Sequence, residues 1–254
     1  MSNCKTVSTP VAQGEKLTSN IIHERVDEKE YRSLVGFLLY LTATRPNIMY
    51  DVSLLSRFMH CCDVVHFKAA KRVLRYVKGT LNFGVKFEKG KKLKLTGYSD
   101  SDWVGSINDM KSTSGYFFTL GSGVFCCSSE KQQIVAQLTA EAEYIAANAA
   151  VNQTIWLRKL LCDLNEYIQA TEIRVNNQSA VAIAKILVFH GKTKHLKIKF
   201  HFVREAEQLK KVNLVHCSSE NQFADILTKS LVATRLDILR RNIGVCCIQS
   251  KEEC

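Results

Sequence analysis

Two different spacings of apolar residues follow one another along the chain. Between residues 31 and 90 apolar side chains recur three and four positions apart, which is the period of an amphipathic helix. This spacing predicts three helices, which begin near Tyr31, Asn47 and His66. The predicted apolar stripe of the third helix consists of Phe67, Ala70, Leu74 and Val77. We therefore expect an all-helical segment over residues 31–90, after a polar, flexible arm over residues 1–30.

From Leu93 apolar and polar residues alternate, which is the period of a strand. Predicted strands cover residues 93–100, 114–120, 124–129, 172–176 and 212–217. Predicted helices cover residues 130–164, 178–187, the second half of 190–211 and the residues after Ser218. An antiparallel meander that is followed by a helix, another strand and more helices is typical of an α/β layer fold with a mixed sheet. We predict such a domain over residues 91–231, followed by a tail over residues 232–254.

The 254-residue chain carries a net charge of +11, which favours a polyanionic partner such as nucleic acid. Five basic residues form a continuous face on the predicted third helix: Lys68, Lys71, Arg72, Arg75 and Lys78. Contacts between this face and phosphates would make binding depend steeply on salt. A solvated surface is the alternative interpretation, and the sequence leaves both open.

The ten cysteines include three adjacent pairs and no C-x-x-C spacing, so we expect reduced, structural thiols. No apolar run approaches the roughly 20 residues of a membrane span. The first residues lack the apolar core of a secretory signal. We expect an intracellular protein, cytoplasmic or nuclear, that is not secreted and has no membrane partner.

Four polar residues occupy positions suited to a shared site. Alternation places Asp100 at the end of the first strand, and Asn176 ends a later one. Glu143 shares a helix column with alanines, so it should face the sheet, where a bound cation would offset the cost of burying its charge. Ser219–Gln222 fits a capping box that would place Asp225 in the early turns of a last helix. An edge position for Glu143 and a purely helix-stabilising role for Asp225 remain the simpler alternatives.

Eight stretches in order resemble the Pol polyprotein of copia-type LTR retrotransposons, and the likeness covers nearly the whole chain. They are YRSLVG at 31–36, LTATRP at 41–46, LSRFM at 55–59, AKRVLRY at 70–76, YSDSDW at 98–103, KSTSGY at 111–116, EAEY at 141–144 and ADILTK at 224–229. The resemblance implies the end of a reverse transcriptase, with a small helical thumb or connection-like segment. This segment would precede a ribonuclease H-like mixed sheet with packed helices.

The resemblance also implies a metal-dependent endonuclease that cuts the RNA strand of an RNA–DNA hybrid with two Mg²⁺ or Mn²⁺ ions. Asp100, Glu143 and Asp225 match three of the family's four metal-binding carboxylates, and Asn176 stands where the family has an aspartate. An asparagine keeps an oxygen but removes a negative charge, so we expect weaker cleavage and preserved hybrid binding. The polymerase's paired aspartates would lie before Met1, so we expect no polymerase activity, and the missing polymerase portion becomes an expected partner.

Three functions remain open. The chain is a weakened or inactive ribonuclease H from a decayed element, which also departs from the family at Cys127, Ala140 and Lys197. Alternatively, it is an active enzyme in which Asp102 or solvent compensates for Asn176, or it is purely a nucleic-acid-binding module. An integrase is disfavoured because that related nuclease class places its glutamate last in the sequence.

Overall fold

A computed structural model describes residues 4–14, 17–19, 23–90, 92–185 and 194–248, without the side chains of residues 194–200. The end of the helix predicted over 178–187, the start of the segment predicted from residue 190, and the side chain of Lys197 lie outside this description. The chain forms two compact units. The first unit comprises Met1–Phe87 and Lys229–Cys254, and the second comprises Glu88–Thr228.

The first unit contains the three predicted helices and elements from both ends of the chain. They are α1 (Glu28–Thr42), a 3₁₀ turn (Pro46–Ile48), α2 (Met49–Ser56), α3 (Val64–Gly79), β1 (Phe83–Val85), α7 (Ala233–Asn242) and β7 (Val245–Cys247). Asp27 starts α1 earlier than predicted, because its carboxylate accepts a hydrogen bond from the backbone N–H of Lys29 at 2.8 Å.

The predicted tail belongs to the first unit. β7 pairs antiparallel with β1, with Phe83 opposite Cys247. On α7, Arg240 donates a hydrogen bond to the Tyr76 hydroxyl of α3 and lies 4.0 Å over the Phe83 ring. Alternation predicted neither short strand, because this pairing joins residues about 160 positions apart in the sequence and leaves no local signal.

The buried face of α3 differs from the predicted stripe by about one position. The buried residues are His66, Ala69, Ala70, Val73 and Tyr76, so Ala70 is the single member of the predicted stripe that is fully buried. The predicted stripe included no polar residue, but His66 is buried and pairs with Asp63 in the N-terminal capping box. The hydroxyl of Tyr76 accepts a hydrogen bond from Asn47 at 2.9 Å. These bonds offset part of the cost of burying the two residues, whereas His66 Nε2 has no hydrogen-bond partner among the described residues.

The second unit contains a five-stranded mixed sheet and the long helix. Its elements are β2 (Leu95–Asp102), β3 (Thr113–Leu120), β4 (Val124–Lys131), α4 (Thr139–Asp163), β5 (Thr171–Val175), α5 (Gln178–Lys185), α6 (Lys194–Gln208), β6 (Val212–His216) and two 3₁₀ turns (Ser219–Asn221 and Phe223–Leu227). The strand order is β4-β3-β2-β5-β6. The first three strands are antiparallel, whereas β5 is parallel to β2 and β6 is parallel to β5. The predicted α/β fold with a mixed sheet is confirmed.

The core of the second unit lies between the sheet and α4. Its largest fully buried members from the sheet are Phe118, Ile173 and Leu214. The helix contributes alanines at positions 146, 147 and 150, each with no exposed surface. Small side chains let the helix axis approach the sheet closely, which confirms that this column faces the strands.

The predicted capping box and last helix around Asp225 are wrong. Residues 219–221 and 223–227 form short 3₁₀ turns, and Ser218, which precedes the first, makes no side-chain capping bond. Gln222 instead accepts a hydrogen bond from the backbone N–H of Ala224 and donates one to the Ser99 carbonyl of β2 at 2.8 Å. The glutamine that suggested a cap therefore fixes the second turn to the sheet.

No helix within the described part of the chain is long and apolar enough to cross a membrane.

Candidate active site

Asp100 and Asn176 lie at the same end of two neighbouring parallel strands. Ser99 of β2 is in register with Val175 of β5. Asp100 and Asn176 are the next residues after this pair, and Asn176 directly follows β5. Asp100 has no exposed surface, and it pairs with Gly115 of β3. β2 continues to Asp102, two residues beyond its predicted end. The register of β2 and β5 therefore places Asp100 and Asn176 next to each other, as the sequence predicted.

A close contact brings the 3₁₀ turn Phe223–Leu227 to Asp100. The Thr228 hydroxyl donates a hydrogen bond to Asp100 Oδ2. Gly115 pairs with Asp100 across β2 and β3, and a Cβ atom on Gly115 would lie 2.7 Å from Leu227 Cβ and 2.8 Å from Thr228 Cγ2. Only a glycine admits this approach. Because Thr228 holds this turn against Asp100, Asp225 lies on the same side of the sheet end as Asp100. A 3₁₀ turn positions Asp225, and not the predicted helix.

Glu143 reaches the site from the first turns of α4. It is 5% exposed, and α4 packs against β2 and β3. The sequence prediction that Glu143 faces the sheet is therefore confirmed, whereas Glu141 binds the backbone N–H of Gln137 at 2.8 Å.

The Cys217 thiol lies within electrostatic reach of the three carboxylates. Burial is the largest cause that raises the pKa of the Cys217 thiol to about 11, and the Arg174 guanidinium opposes the rise. Three carboxylate charges raise this pKa further, those of Asp100, Glu143 and Asp225. A single thiol thus lies within electrostatic reach of all three.

Sequence reasoning did not select Cys217. The backbone N–H of Cys217, directly after β6, donates to the Val175 carbonyl at 2.9 Å, one residue before Asn176. The available signal was its position at the end of the predicted strand over residues 212–217, because ligands of α/β folds commonly lie at strand ends.

The two neighbouring asparagines have different environments. Asn176 Oδ1 is buried and has no hydrogen-bond partner among the described residues. Asn177 Oδ1 accepts a hydrogen bond from the backbone N–H of Ala180 at 3.0 Å and so stabilises the start of α5. Asn176 therefore presents a buried, unused oxygen, whereas the side chain of Asn177 has a structural partner.

Asp102 stabilises the turn after β2. Its carboxylate accepts a hydrogen bond from the backbone N–H of Thr113, and it packs so tightly on Gly105 that a Cβ atom there would overlap it. Val104, between them, has a φ of 58°, which is unusual for a β-branched residue. These contacts weigh against Asp102 as a replacement for the missing aspartate.

The donor set suits a hard divalent cation. Asp100, Glu143 and Asp225 supply carboxylate oxygens, and Asn176 adds an amide oxygen, the ligand type that Mg²⁺ prefers. In the part of the chain that the structure describes, no three His, Cys, Asp or Glu side chains are grouped tightly enough to hold a metal. The carboxylates therefore border a common region without forming a compact cluster.

The predicted basic face lies in the first unit, and three of its members bind the N-terminal segment. Arg72 donates to the Thr9 hydroxyl at 3.0 Å, Arg75 to the Lys5 carbonyl at 2.7 Å, and Lys78 to the Cys4 carbonyl at 3.0 Å. The other two, Lys68 and Lys71, are exposed, and Lys71 lies 3.9 Å over the Phe67 ring. Residues 4–9 of the predicted flexible arm are thus attached to α3.

The chain is similar to transposon proteins over nearly its whole length. It is 39% identical over 246 residues to the retrovirus-related Pol polyprotein from transposon RE1 of Arabidopsis thaliana. It is 34% identical over 252 residues to the one from transposon TNT 1-94 of Nicotiana tabacum. The chain is homologous to a segment of the retrovirus-related Pol polyproteins of transposons. Each match covers 96% of this Pol-related chain, which spans only 17% and 19% of the length of these two relatives. No family model matches it.

Solved structures also resemble this Pol-related chain. A foamy viral protease–reverse transcriptase in complex with dsDNA matches with a TM-score of 0.52 and 11% identity over 79% of this chain and 40% of that chain. LC11-RNase H1 in complex with RNA/DNA hybrid matches with a TM-score of 0.41 and 22% identity over 56% of this chain and 99% of that chain. The foamy viral match shows a shared fold, and the five-stranded mixed sheet agrees with the α/β fold that the sequence resemblance implied.

Proposed function

We propose that the second unit binds RNA–DNA hybrid and hydrolyses its RNA strand with two Mg²⁺ or Mn²⁺ ions, at a rate that Asn176 lowers. The observation that carries this proposal is the placement of Asp100 and Asn176 on neighbouring strands, with the turn that contains Asp225 held beside Asp100 by Thr228. Homology to the Pol polyproteins supports the choice of substrate, because the sequence resemblance assigns Asp100, Glu143 and Asp225 to metal-binding positions of that family.

The carboxylates have distinct surroundings that fit distinct tasks. Asp100 is fully buried and oriented by Thr228, so it would be the fixed ligand of the site. Glu143 enters from the helix side, and the half-buried Asp225 enters from the turn side. When bound, two divalent ions activate a water and stabilise the leaving oxygen of an in-line phosphoryl displacement.

Asn176 would weaken the site electrostatically. The carboxylates of the site would offset the mutual repulsion of two bound cations. The buried amide oxygen of Asn176 can still point at a metal, but it contributes no full negative charge. Reduced metal affinity and slow cleavage follow from this difference.

An inactive nucleic-acid-binding remnant is the second candidate. The carboxylate of Asp102 is engaged with Thr113 and packed on Gly105, so compensation by this residue is disfavoured. In this case hybrid binding would persist without hydrolysis. The polymerase portion of the longer relatives is the proposed partner for either function.

Cleavage of a labelled RNA–DNA hybrid by the whole chain, with Mg²⁺ or Mn²⁺, separates the two candidates. We expect slow cleavage that disappears with chelator and falls at least tenfold in Asp100→Asn, while hybrid affinity changes little. Metal-independent cleavage, or equal rates for the wild type and Asp100→Asn, would contradict the proposed site. Binding without any cleavage would favour the remnant.

A further inference from the structure

Gln132 makes an unusual set of contacts inside the second unit. It directly follows β4 and is 5% exposed. Its amide nitrogen lies 3.2 Å from Ser101 Oγ, 2.9 Å from Ser114 Oγ and 3.0 Å from the Ala142 carbonyl oxygen. Its backbone N–H also donates to the Ser112 carbonyl at 2.8 Å. One side chain therefore links β2, β3 and the first turns of α4.

Each acceptor adjoins a residue that shapes the candidate site. Ser101 follows Asp100, and Ala142 precedes Glu143. Ser114 precedes the glycine that admits the Phe223–Leu227 turn to Asp100. The contacts of Gln132 thus lie one residue away from two of the proposed metal ligands.

The start of α4 has no side-chain cap of its own. Its N-cap residue is Leu138, which has no polar side-chain atom to bind the free N–H groups of the first turn. Gln132 attaches the Ala142 carbonyl of this turn directly to the sheet. A shift of the turn would change the separation between Glu143 and Asp100.

We propose that Gln132 is a positioning residue that sets the spacing of Glu143 and Asp100 for divalent cations. This inference rests on the proposed function of the same site. An amide suits the position because its NH₂ group can donate to a carbonyl and a hydroxyl at once, whereas a carboxylate would repel the Ala142 carbonyl. Outer groups that orient metal ligands typically change metal affinity by roughly 10- to 100-fold when they are removed.

The test compares Gln132→Met with Gln133→Met in the whole chain. Methionine keeps the length of glutamine but cannot donate, and Gln133 is the exposed neighbour, which provides a matched control. Calorimetric titration with Mn²⁺ should show a Kd about tenfold higher in Gln132→Met than in the control. Hydrogen exchange at residues 140–146 should be faster in Gln132→Met alone.

A milder variant keeps the test decisive if Gln132→Met unfolds. Ser114→Ala removes one acceptor and should weaken Mn²⁺ binding by a smaller factor, in the same direction. Unchanged Mn²⁺ affinity and unchanged exchange in both variants, even with a lower melting temperature, would overturn the positioning role. If the wild type and Gln133→Met bind no Mn²⁺, the proposed function fails, and the exchange measurement alone decides whether Gln132 fixes the helix.

Discussion

Each unit buries acidic side chains, but they are arranged differently. In the first unit Asp51 lies on α2 and is 6% exposed, and burial raises the pKa of its carboxyl to about 8. In the second unit Asp100 and Glu143 are similarly buried, but they lie with Asp225 around Cys217 at the end of parallel strands. One buried acid can be neutralised by a proton, whereas the charges of several neighbouring acids repel one another and can also be offset by a cation. The candidate site differs from Asp51 because several acidic side chains lie near one thiol, and not because they are buried.

The basic residues of the first unit also differ from the acidic residues of the second unit in how well the sequence predicts their role. Arg72, Arg75 and Lys78 looked like a phosphate-binding face, yet they hold the chain's own N-terminal segment. Long side chains on a helix can turn to many partners. The direction of a residue at a strand end is instead fixed by the register of the sheet. A strand-end carboxylate is therefore a stronger site signal than a helical basic stripe.

The largest expected effect concerns the protonation of Asp51. Its folded pKa, about 8, lies above its ordinary value of 3.8, so the folded state holds a proton that the unfolded state releases between these pH values. The stability of the first unit that is present below pH 4 is lost as pH rises towards 8, by up to about 1.4 kcal/mol per pH unit. Asp51→Asn should flatten this decline.

Native-state hydrogen exchange of α2 and α3 between pH 5 and 8 measures the effect in the first unit. The exposed Glu30, replaced by glutamine, serves as the control and should keep the wild-type slope. Equal slopes in Asp51→Asn and the wild type would mean that Asp51 is ionised when folded, and the contrast with Asp100 would disappear.

A smaller effect is expected from Gly115→Ala in the second unit. The added methyl would meet Leu227 Cβ at 2.7 Å and should cost roughly 1–3 kcal/mol of unfolding free energy. It should also weaken Mn²⁺ binding, because the turn that carries Asp225 is displaced from Asp100. Urea unfolding followed by tryptophan fluorescence reports on this unit, since both tryptophans, Trp103 and Trp156, lie in it.

Gly36→Ala provides the matched control in the first unit. Gly36 lies within α1, and a Cβ atom there would have no neighbour within 4 Å. This change should leave Mn²⁺ binding unaltered and raise helix stability slightly. If Gly115→Ala were equally neutral, the close approach of the turn would not hold the site together.

The smallest effect concerns the basic face. Deletion of residues 1–9 should release Arg72, Arg75 and Lys78 from their contacts with the N-terminal segment. If the released side chains bind phosphates, the slope of log affinity for hybrid against log salt should steepen by up to about 2.7. Replacing the three residues with glutamine in the shortened chain should remove the increase. An unchanged slope after deletion would exclude them from the binding surface.

The sequence predicts those features that depend on local periodicity. Alternation located Asp100 and Asn176, and an alanine column oriented Glu143, because strand and helix geometry fix side-chain direction. The capping box at Ser219 failed, since its Gln222 bonds to Ser99, more than a hundred residues away in the chain. Likewise, no local pattern distinguishes a glutamine such as Gln132, whose partners come from three elements. Long-range polar contacts are therefore what the structure adds.

The measurement that tests the central claim most directly is metal-dependent hydrolysis of a defined hybrid by Asn176→Asp. This change gives a negative charge to a side chain whose Oδ1 is buried and has no hydrogen-bond partner among the described residues, and it does not alter side-chain size. We expect tighter Mg²⁺ binding and a gain in cleavage of about 10²-fold, equivalent to about 2.7 kcal/mol of transition-state stabilisation, which Asp100→Asn should abolish.

Asn177→Asp is the matched control, because an aspartate there can still accept the hydrogen bond from the Ala180 N–H, and it should produce no gain. An Asn176→Asp protein that folds and binds hybrid but cleaves no faster than the wild type would contradict the account.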